Sequence, residues 1–278
     1  MLRLTTADAL RAYRAGLDGL PQGARVALVP TMGALHEGHL SLIAEARREA
    51  DHVIATIYVN PTQFDRPDDL AAYPRDPDGD ARLLEAAGCD ALFEPTTLYA
   101  PDHATWVEVP ALATTLCGAS RPGHFRGVAT IVTKLLNLAR PHVAIFGEKD
   151  FQQLRLIRRL VRDLDLPVRI LAGPTVREPD GLAMSSRNRR LTPEARAAAP
   201  VIFRALAAAT RSGAPVGTSL AAIRQAIEVA GGAIDYVAAV DADSLAHLPF
   251  EATPPRGACF AVAVFFGSVR LIDNATVG

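Results

Sequence analysis

Two histidines, His36 and His39, flank Gly38 at the end of the stretch Pro30-Thr31-Met32-Gly33-Ala34-Leu35-His36-Glu37-Gly38-His39. On the first turn of a helix two such imidazoles share a face, and the glycine between them leaves no side chain to hold off a flat base or a phosphate chain. Further on, Gly147-Glu148-Lys149-Asp150 presents an ammonium group, and Met184-Ser185-Ser186-Arg187 sets two hydroxyls beside a guanidinium, a combination suited to clamping phosphate. Gln63 and Gln153 carry amides that donate and accept together, which suits a hydroxyl or a carboxylate. Each group also has an ordinary reading: solvated histidines at a helix start, surface glutamines, a polar approach to the helix that Thr192-Pro193 opens. Position in the fold decides between them.

The run Arg25-Val26-Ala27-Leu28-Val29 reads as a buried parallel strand, and from Glu37 the apolar residues Leu40, Leu42, Ile43 and Ala46 recur at helical spacing. His36 to His39 therefore sits at the mouth of a helix, where unpaired backbone N–H groups would face outward and attract phosphate. A strand, a glycine turn and a helix in that order form the ligand-bearing corner of an open α/β sheet. Val143-Ala144-Ile145-Phe146 followed by Gly147 repeats the arrangement ahead of a helix over Phe151 to Leu164. Lys149 there opposes the positive end of the helix dipole, a conflict of ~0.3–1 kcal/mol that an intervening anion would relieve. His52 to Val59 reads as another strand, ending in Asn60-Pro61-Thr62-Gln63 at the carboxyl edge where such sheets bind ligands.

A first helix over Ala7 to Leu17 is expected with Thr6 as its cap, then a proline-punctuated acidic loop from Phe64 to Asp80, a helix from Ala81 and a strand over Ala91 to Phe93. Trp106 to Val109 reads as a short strand. The glycine-rich stretch Cys117 to Gly127, with Arg121 and His124, reads either as a mobile surface loop or as an anion clamp. A helix should follow from about Val128. Beyond the strand Val168 to Ala172 the alternation stops near Thr175. Alanine-rich helices over about Glu194 to Arg211 and Leu220 to Ala230 then precede strands over Ile234 to Val240, Ala258 to Phe266 and Val269 to Asp273, the last two joined by Gly267-Ser268. The expected fold is a Rossmann-like open parallel sheet with helices on both faces over 1–175, and a smaller α+β lid domain over 176–278.

The 278 residues, 49% hydrophobic and 21% charged, suit two globular domains. A formal net charge of −1 supplies no basic field for a nucleic-acid backbone. No apolar run approaches the ~20 residues of a membrane helix, and no signal-like core follows Met1, so a cytoplasmic location is expected. The 3 cysteines are scattered and odd in number, and read as small buried thiols.

The His-Gly-His stretch resembles the signature of the adenylate-forming nucleotidyltransferases, which include class I aminoacyl-tRNA synthetases. Taken with Val59-Asn-Pro-Thr-Gln-Phe64, Arg121-Pro-Gly-His-Phe-Arg-Gly127, Phe146-Gly-Glu-Lys-Asp-Phe-Gln-Gln153 and Met184-Ser-Ser-Arg-Asn188, the chain is similar, over essentially its whole length, to the pantoate–β-alanine ligase (pantothenate synthetase) family. The resemblance implies ATP binding by Met32, Gly33, Ala34, Leu35, His36, Glu37, Gly38, His39, Gly147, Glu148, Lys149, Asp150, Val176, Met184, Ser185, Ser186 and Arg187. It further implies His39 as catalytic acid, with His36, Lys149 and Arg187 assisting. Pantoate would meet Gln63 and Gln153, with Gln63 also meeting β-alanine and Arg121 and His124 nearby. Asp80 would stand near Mg2+. The substrates implied are ATP, pantoate and β-alanine, with a homodimer, no nucleic acid and no membrane. Two positions depart from the family pattern: Thr62 stands where Met is usual, and Asp76 where Thr is common. Other readings of the same corners are a tRNA synthetase core, which here lacks a basic surface, and an ATP-sensing module without turnover.

Overall fold

Continuous apolar runs become the strands of one parallel sheet. A computed structural model describes residues 1–19 and 24–278. Strands β1 (Leu2–Leu4), β2 (Val26–Thr31), β3 (His52–Ile57), β4 (Ala91–Phe93), β5 (Val143–Gly147) and β6 (Arg169–Gly173) lie in the order β1-β4-β3-β2-β5-β6. Every neighbouring pair is parallel, with Leu28 level with Ile54 on one side and Ala144 on the other. From β2 the chain works outward through β3 and β4; from β5 it works the other way to β6. The reversal falls between β2 and β5, and in an open α/β sheet that crevice is where ligands bind.

The connecting helices are α1 (Ala7–Asp18), α2 (Glu37–Glu49), α3 (Pro67–Ala71), α4 (Pro77–Ala86), α5 (Cys117–Ser120), α6 (His124–Ala139) and α7 (Phe151–Asp163). On one face of the sheet Leu42, Ile43 and Ala46 of α2 and Ala81 and Leu84 of α4 pack with Ala27, Val29, Val53, Ala55, Leu92, Val143 and Ile145. Alternate strand residues Leu28, Ile54 and Phe93 are equally buried on the other face, where α6 meets β2 and α1 meets α6. With both faces covered these strands need no polar alternation, which is why they read as unbroken apolar runs. Gly173 ends β6 against α2: a Cβ there would lie 2.1 Å from Leu42 Cδ2.

The C-terminal part holds α8 (Pro193–Ala198), α9 (Val201–Ser212), α10 (Val216–Val229) and an antiparallel sheet β7 (Ala233–Val240), β8 (Cys259–Phe266), β9 (Val269–Thr276) in sequence order. Phe260, Val262, Val264 and Phe266 of the central strand pack against Ile202 and Leu206 of α9 and Ile223 and Ile227 of α10. Phe266 pairs with Val269, so Gly267-Ser268 is a two-residue hairpin turn, with Gly267 at φ +60.

By internal contacts the chain forms two units: Met1–Val109, Arg121–Glu148 and Leu156–Pro174 make one; Pro110–Ser120, Lys149–Arg155 and Thr175–Gly278 make the other.

Several local expectations are corrected. Trp106 to Val109 is not a strand, because the Val107 N–H donates to Thr130 Oγ1 of α6 (3.0 Å) instead of to a neighbouring strand. The glycine-rich stretch is not one loop: α5 occupies Cys117–Ser120, and α6 starts at His124 behind Gly123 at φ +80, four residues ahead of the expected start. The helix expected over Glu194 to Arg211 is two, since Pro200 has no N–H to continue the first and caps the second. β1 was not anticipated; three residues, two of them exposed, carry no periodicity.

Candidate active site

The histidine corner is closed by its own side chains. His36 is the N-cap of α2: its Nδ1 accepts from the Gly38 N–H (3.1 Å), while His39 Nδ1 accepts from the His36 N–H (3.3 Å). This is a capping box built from two imidazoles, whose ring centroids are 4.1 Å apart. The His39 N–H bonds to the His36 carbonyl (2.7 Å) and the Gly33 N–H to Thr31 Oγ1 (3.2 Å). The N–H groups of Ala34 and Leu35 go to Asp80 Oδ2 (2.7 Å) and Oδ1 (2.8 Å). The expectation of outward-facing, unpaired amides at this mouth is therefore overturned. Nδ1 is the acceptor in both rings, which in a neutral imidazole places the ring proton on Nε2.

Asp80 also changes role. It is 3% exposed, and each of its oxygens is held by an amide of the turn. Such a carboxylate does not fit as a magnesium ligand, and among the described residues no three His, Cys, Asp or Glu side chains gather in a metal-holding group. Neighbouring Asp76, one of the two departures from the family pattern, is the N-cap of α4, accepting from the Gly79 N–H (3.0 Å).

Gln63 stands in a single turn of 3-10 helix, Pro61–Gln63, beyond the end of β3. Its amide is oriented by Asn60, buried at 1% exposure, whose Nδ2 donates to Gln63 Oε1 (3.0 Å) and to the Gly127 carbonyl (3.2 Å). Asn60 Oδ1 accepts from Tyr99 Oη (2.9 Å) and Thr62 Oγ1 (3.0 Å), so this asparagine makes all four of its hydrogen bonds. Thr62, the other departure, thus completes a polar network that a methionine could not. With Oε1 facing Asn60, Gln63 turns its Nε2 toward Met32 Sδ (3.0 Å), leaving a donor face toward the histidine-bearing segment.

Arg121 and His124 converge on the same loop from behind. Arg121 Nη2 (3.0 Å) and His124 Nδ1 (2.7 Å) both donate to the Gln63 carbonyl, and Arg121 Nε pairs with Asp65 (2.9 Å). Burial alone would raise the Asp65 carboxyl, but the Arg121 hydrogen bond and charge hold it below its ordinary value. The guanidinium is compensated, so these residues fit holding Gln63 in place better than clamping a free anion.

Gly127 lets α6 lie against this loop, since a Cβ there would sit 2.4 Å from the Thr62 carbonyl oxygen and 2.8 Å from Gln63 N. Those are backbone atoms with nowhere to go. Gly127→Ala should push the loop off α6, cost about 1–3 kcal/mol in urea unfolding and raise KM for the ligand of Gln63 more than KM for nucleotide.

The remaining candidates belong to the second unit, apart from Gly147, which ends β5, and Glu148, which opens the turn after it. Lys149 and Asp150 fall in the 3-10 turn that leads into α7, and the Lys149 carbonyl accepts from Asn274 Nδ2 of β9 (3.0 Å). Gln153 lies half-buried on the first turn of α7, while adjacent Gln152 is a structural tie, donating to the carbonyls of Leu112 (2.9 Å) and Thr115 (2.8 Å). Val176 and Met184 are brought together: the Met184 N–H bonds to the Val176 carbonyl (3.0 Å) across a narrow hairpin whose bend carries Gly181 at φ +95. Ser185 caps the short helix Ser186–Arg190 by accepting from the Arg187 N–H (3.3 Å), which fixes the two hydroxyls and Arg187 in one turn. The hairpin is anchored by Arg177, bidentate to Asp273 (2.7 and 3.1 Å) and stacked 3.9 Å from the Phe203 ring centre.

Sequence reasoning missed Asp80's grip on the turn, Tyr99 and Gly127 beside Gln63, and the Asp273-Asn274 pair. The place of Asp80 at helical phase with Leu84 marks it in sequence as inward-facing without naming its partners; the others left no signal.

An open parallel sheet with a histidine pair at its direction switch places the chain among α/β proteins whose ligands bind beyond the carboxyl ends of the strands. Residues 3–276 match the family described as Pantoate-beta-alanine ligase. A pantothenate synthetase of Acidiphilium cryptum is 54% identical over 275 residues, covering 96% of this chain and 97% of that one. Among solved structures, pantothenate synthetase from Thermus thermophilus superposes with a TM-score of 0.92 at 45% identity, covering 100% of this chain and 99% of that one. A pantoate-beta-alanine ligase from Francisella tularensis, complexed with beta-gamma ATP and beta-alanine, gives a TM-score of 0.83 at 34% identity, covering 99% and 97%. The chain belongs to the pantoate–β-alanine ligase family.

Proposed function

We propose that this chain condenses pantoate with β-alanine at the expense of ATP, through a pantoyl adenylate. Supporting this are the family match over residues 3–276 and the relative crystallised with an ATP species and beta-alanine. The observation that carries the residue assignment is the histidine corner lying at the switch between β2 and β5.

A carboxylate is a poor acyl donor because oxide is a bad leaving group. In the first step a pantoate carboxylate oxygen attacks the α-phosphorus of ATP, the bond from that phosphorus to the bridging oxygen breaks, and pyrophosphate leaves. In the second, the β-alanine amine attacks the activated carbonyl, the carbonyl–oxygen bond to AMP breaks, and the amine gives up a proton as pantothenate forms. The protein's work is alignment and charge stabilisation. Gln63, a donor by virtue of Asn60, holds pantoate and then the incoming β-alanine, and Gln153 makes the second amide contact to pantoate. Arg121 and His124 position Gln63 through its carbonyl. His36 and His39 face the phosphates, and His39, when protonated, donates toward departing pyrophosphate as catalytic acid. Lys149, Ser185, Ser186 and Arg187 stabilise negative charge on the phosphates, with Met32 to Leu35, Glu37, Gly38, Gly147, Glu148, Asp150, Val176 and Met184 shaping the nucleotide site. The 1–175 part then serves ATP and pantoate, and 176–278 covers the nucleotide. Magnesium belongs to this reading only as a companion of the nucleotide's phosphates, with no protein ligand assigned and no step routed through it.

We take the active form to be a cytoplasmic homodimer without nucleic-acid or membrane partners. The net charge of −1 supplies no field for a nucleic-acid backbone, and no helix among the described residues is long and apolar enough to cross a membrane; sedimentation at a monomer's mass would refute the dimer. The activity is tested by incubating the protein with ATP and pantoate, with and without β-alanine. Pyrophosphate should depend on pantoate, and steady AMP release on both acids, with added tRNA making no difference. ATP bound without turnover would instead mark a sensing module, and release dependent on tRNA a synthetase.

A further inference from the structure

Gly33 at φ +80 and Ala34 at φ +51 are successive left-handed residues, the second without glycine's freedom. Such a turn aims consecutive N–H groups into one concavity, and concavities of this kind bind anions. Here the anion is internal. The Asp80 carboxylate takes the Ala34 and Leu35 N–H groups at 2.7 and 2.8 Å, and it crowds the turn so closely that a Cβ on Gly33 would lie 2.8 Å from Oδ2 and 3.1 Å from Ile57 Cγ2. Asp80 is itself held: its N–H bonds to the Asp76 carbonyl (2.8 Å) in the first turn of α4. Leu35, 1% exposed, leads directly into His36, the N-cap on which the imidazole pair depends.

The geometry points to Asp80 as a positioning residue for the histidine pair: its carboxylate fills the amide concavity behind the corner, fixes the left-handed turn, and leaves the nucleotide's phosphates to the imidazole N–H groups. This rests on the ligase reading above and deepens it. If the concavity were empty, a phosphate would have two backbone donors on offer in competition with the imidazoles, and the turn would lose what holds Ala34 left-handed.

The test compares wild-type protein, Asp80→Asn and Asp80→Ala for pantoate-dependent pyrophosphate release, with melting temperature alongside. Wild-type turnover checks the ligase reading by itself; a wild-type chain without turnover sinks that reading before any variant is compared. Asparagine keeps one acceptor for the two amides and confronts the other with an NH2 group. Its kcat should fall at least tenfold, with KM for pantoate within about twofold because Gln63 is untouched. Asp80→Ala should fall further and regain activity in added formate, which can occupy the concavity, but not in chloride at equal ionic strength. A folded Asp80→Asn with wild-type kcat overturns the proposal. So does an Asp80→Ala protein indifferent to formate, as does failure of both variants to fold, since the carboxylate would then hold the whole unit and not the corner.

Discussion

Replacing His39 by alanine is expected to lower kcat for pyrophosphate release by about 10²–10³-fold, the effect of losing one well-placed donor in a dry site. Part of any loss has a second source, because His39 Nδ1 also caps the His36 N–H. Loss of that acceptor should cost ~1 kcal/mol of stability and loosen the neighbouring ring. His39→Asn separates the two. Its side-chain oxygen can still accept from His36 while no group reaches the Nε2 position, so the melting temperature should recover and kcat should not. Rates measured under single turnover, without β-alanine, read the first step alone. A folded His39→Asn protein forming adenylate at the wild-type rate would remove His39 from the reaction.

The second large effect is expected in the C-terminal unit, at Arg177. Its partner Asp273 has a side chain only 3% exposed and accepts both guanidinium nitrogens, together with the Asn274 N–H (2.8 Å). Arg177→Met leaves that carboxylate buried without its counter-charge, at a cost of about 3–5 kcal/mol in urea unfolding. Adding Asp273→Leu should restore most of the loss, because the penalty belongs to the stranded charge more than to the missing pair. The functional consequence follows from the hairpin. Arg177 adjoins Val176, which is bonded to Met184, and Asn274 holds the Lys149 carbonyl. Asp273 and Asn274 therefore fasten two of the segments proposed for the nucleotide to β9. KM for ATP should rise in Arg177→Met well beyond KM for pantoate, and an unchanged ATP dependence would separate this anchor from the nucleotide site.

Much of the sheet was legible because buried parallel strands carry unbroken apolar runs, and Val26 to Val29, Val53 to Ile57 and Val143 to Phe146 stand out without help from context. The histidine corner was legible for the same reason, as the break after such a run. What escaped was whatever a side chain settles at a distance. The turn from Gly33 to His36 looks from sequence like a row of free amides; Asp80, 45 to 46 residues further along, takes two of them, Thr31 takes that of Gly33 and His39 that of His36. No local pattern announces that. Glycines misled in the other direction: Gly118, Gly123 and Gly127 suggest a loop, yet each meets a specific need, Gly123 a left-handed residue ahead of α6 and Gly118 and Gly127 close packing where an added Cβ would lie 2.1 and 2.4 Å from a backbone oxygen. The arginine and histidine between them looked like an anion clamp because Asp65, their counter-charge, lies 56 residues before Arg121.

The most direct measurement follows oxygen. Pantoate labelled with 18O in its carboxylate is incubated with the protein, ATP and unlabelled β-alanine, and the AMP is weighed by mass spectrometry. Attack of the carboxylate on the α-phosphorus places one labelled oxygen in each AMP, with pyrophosphate unlabelled. AMP emerging without label, or label recovered in phosphate, would contradict activation through an adenylate.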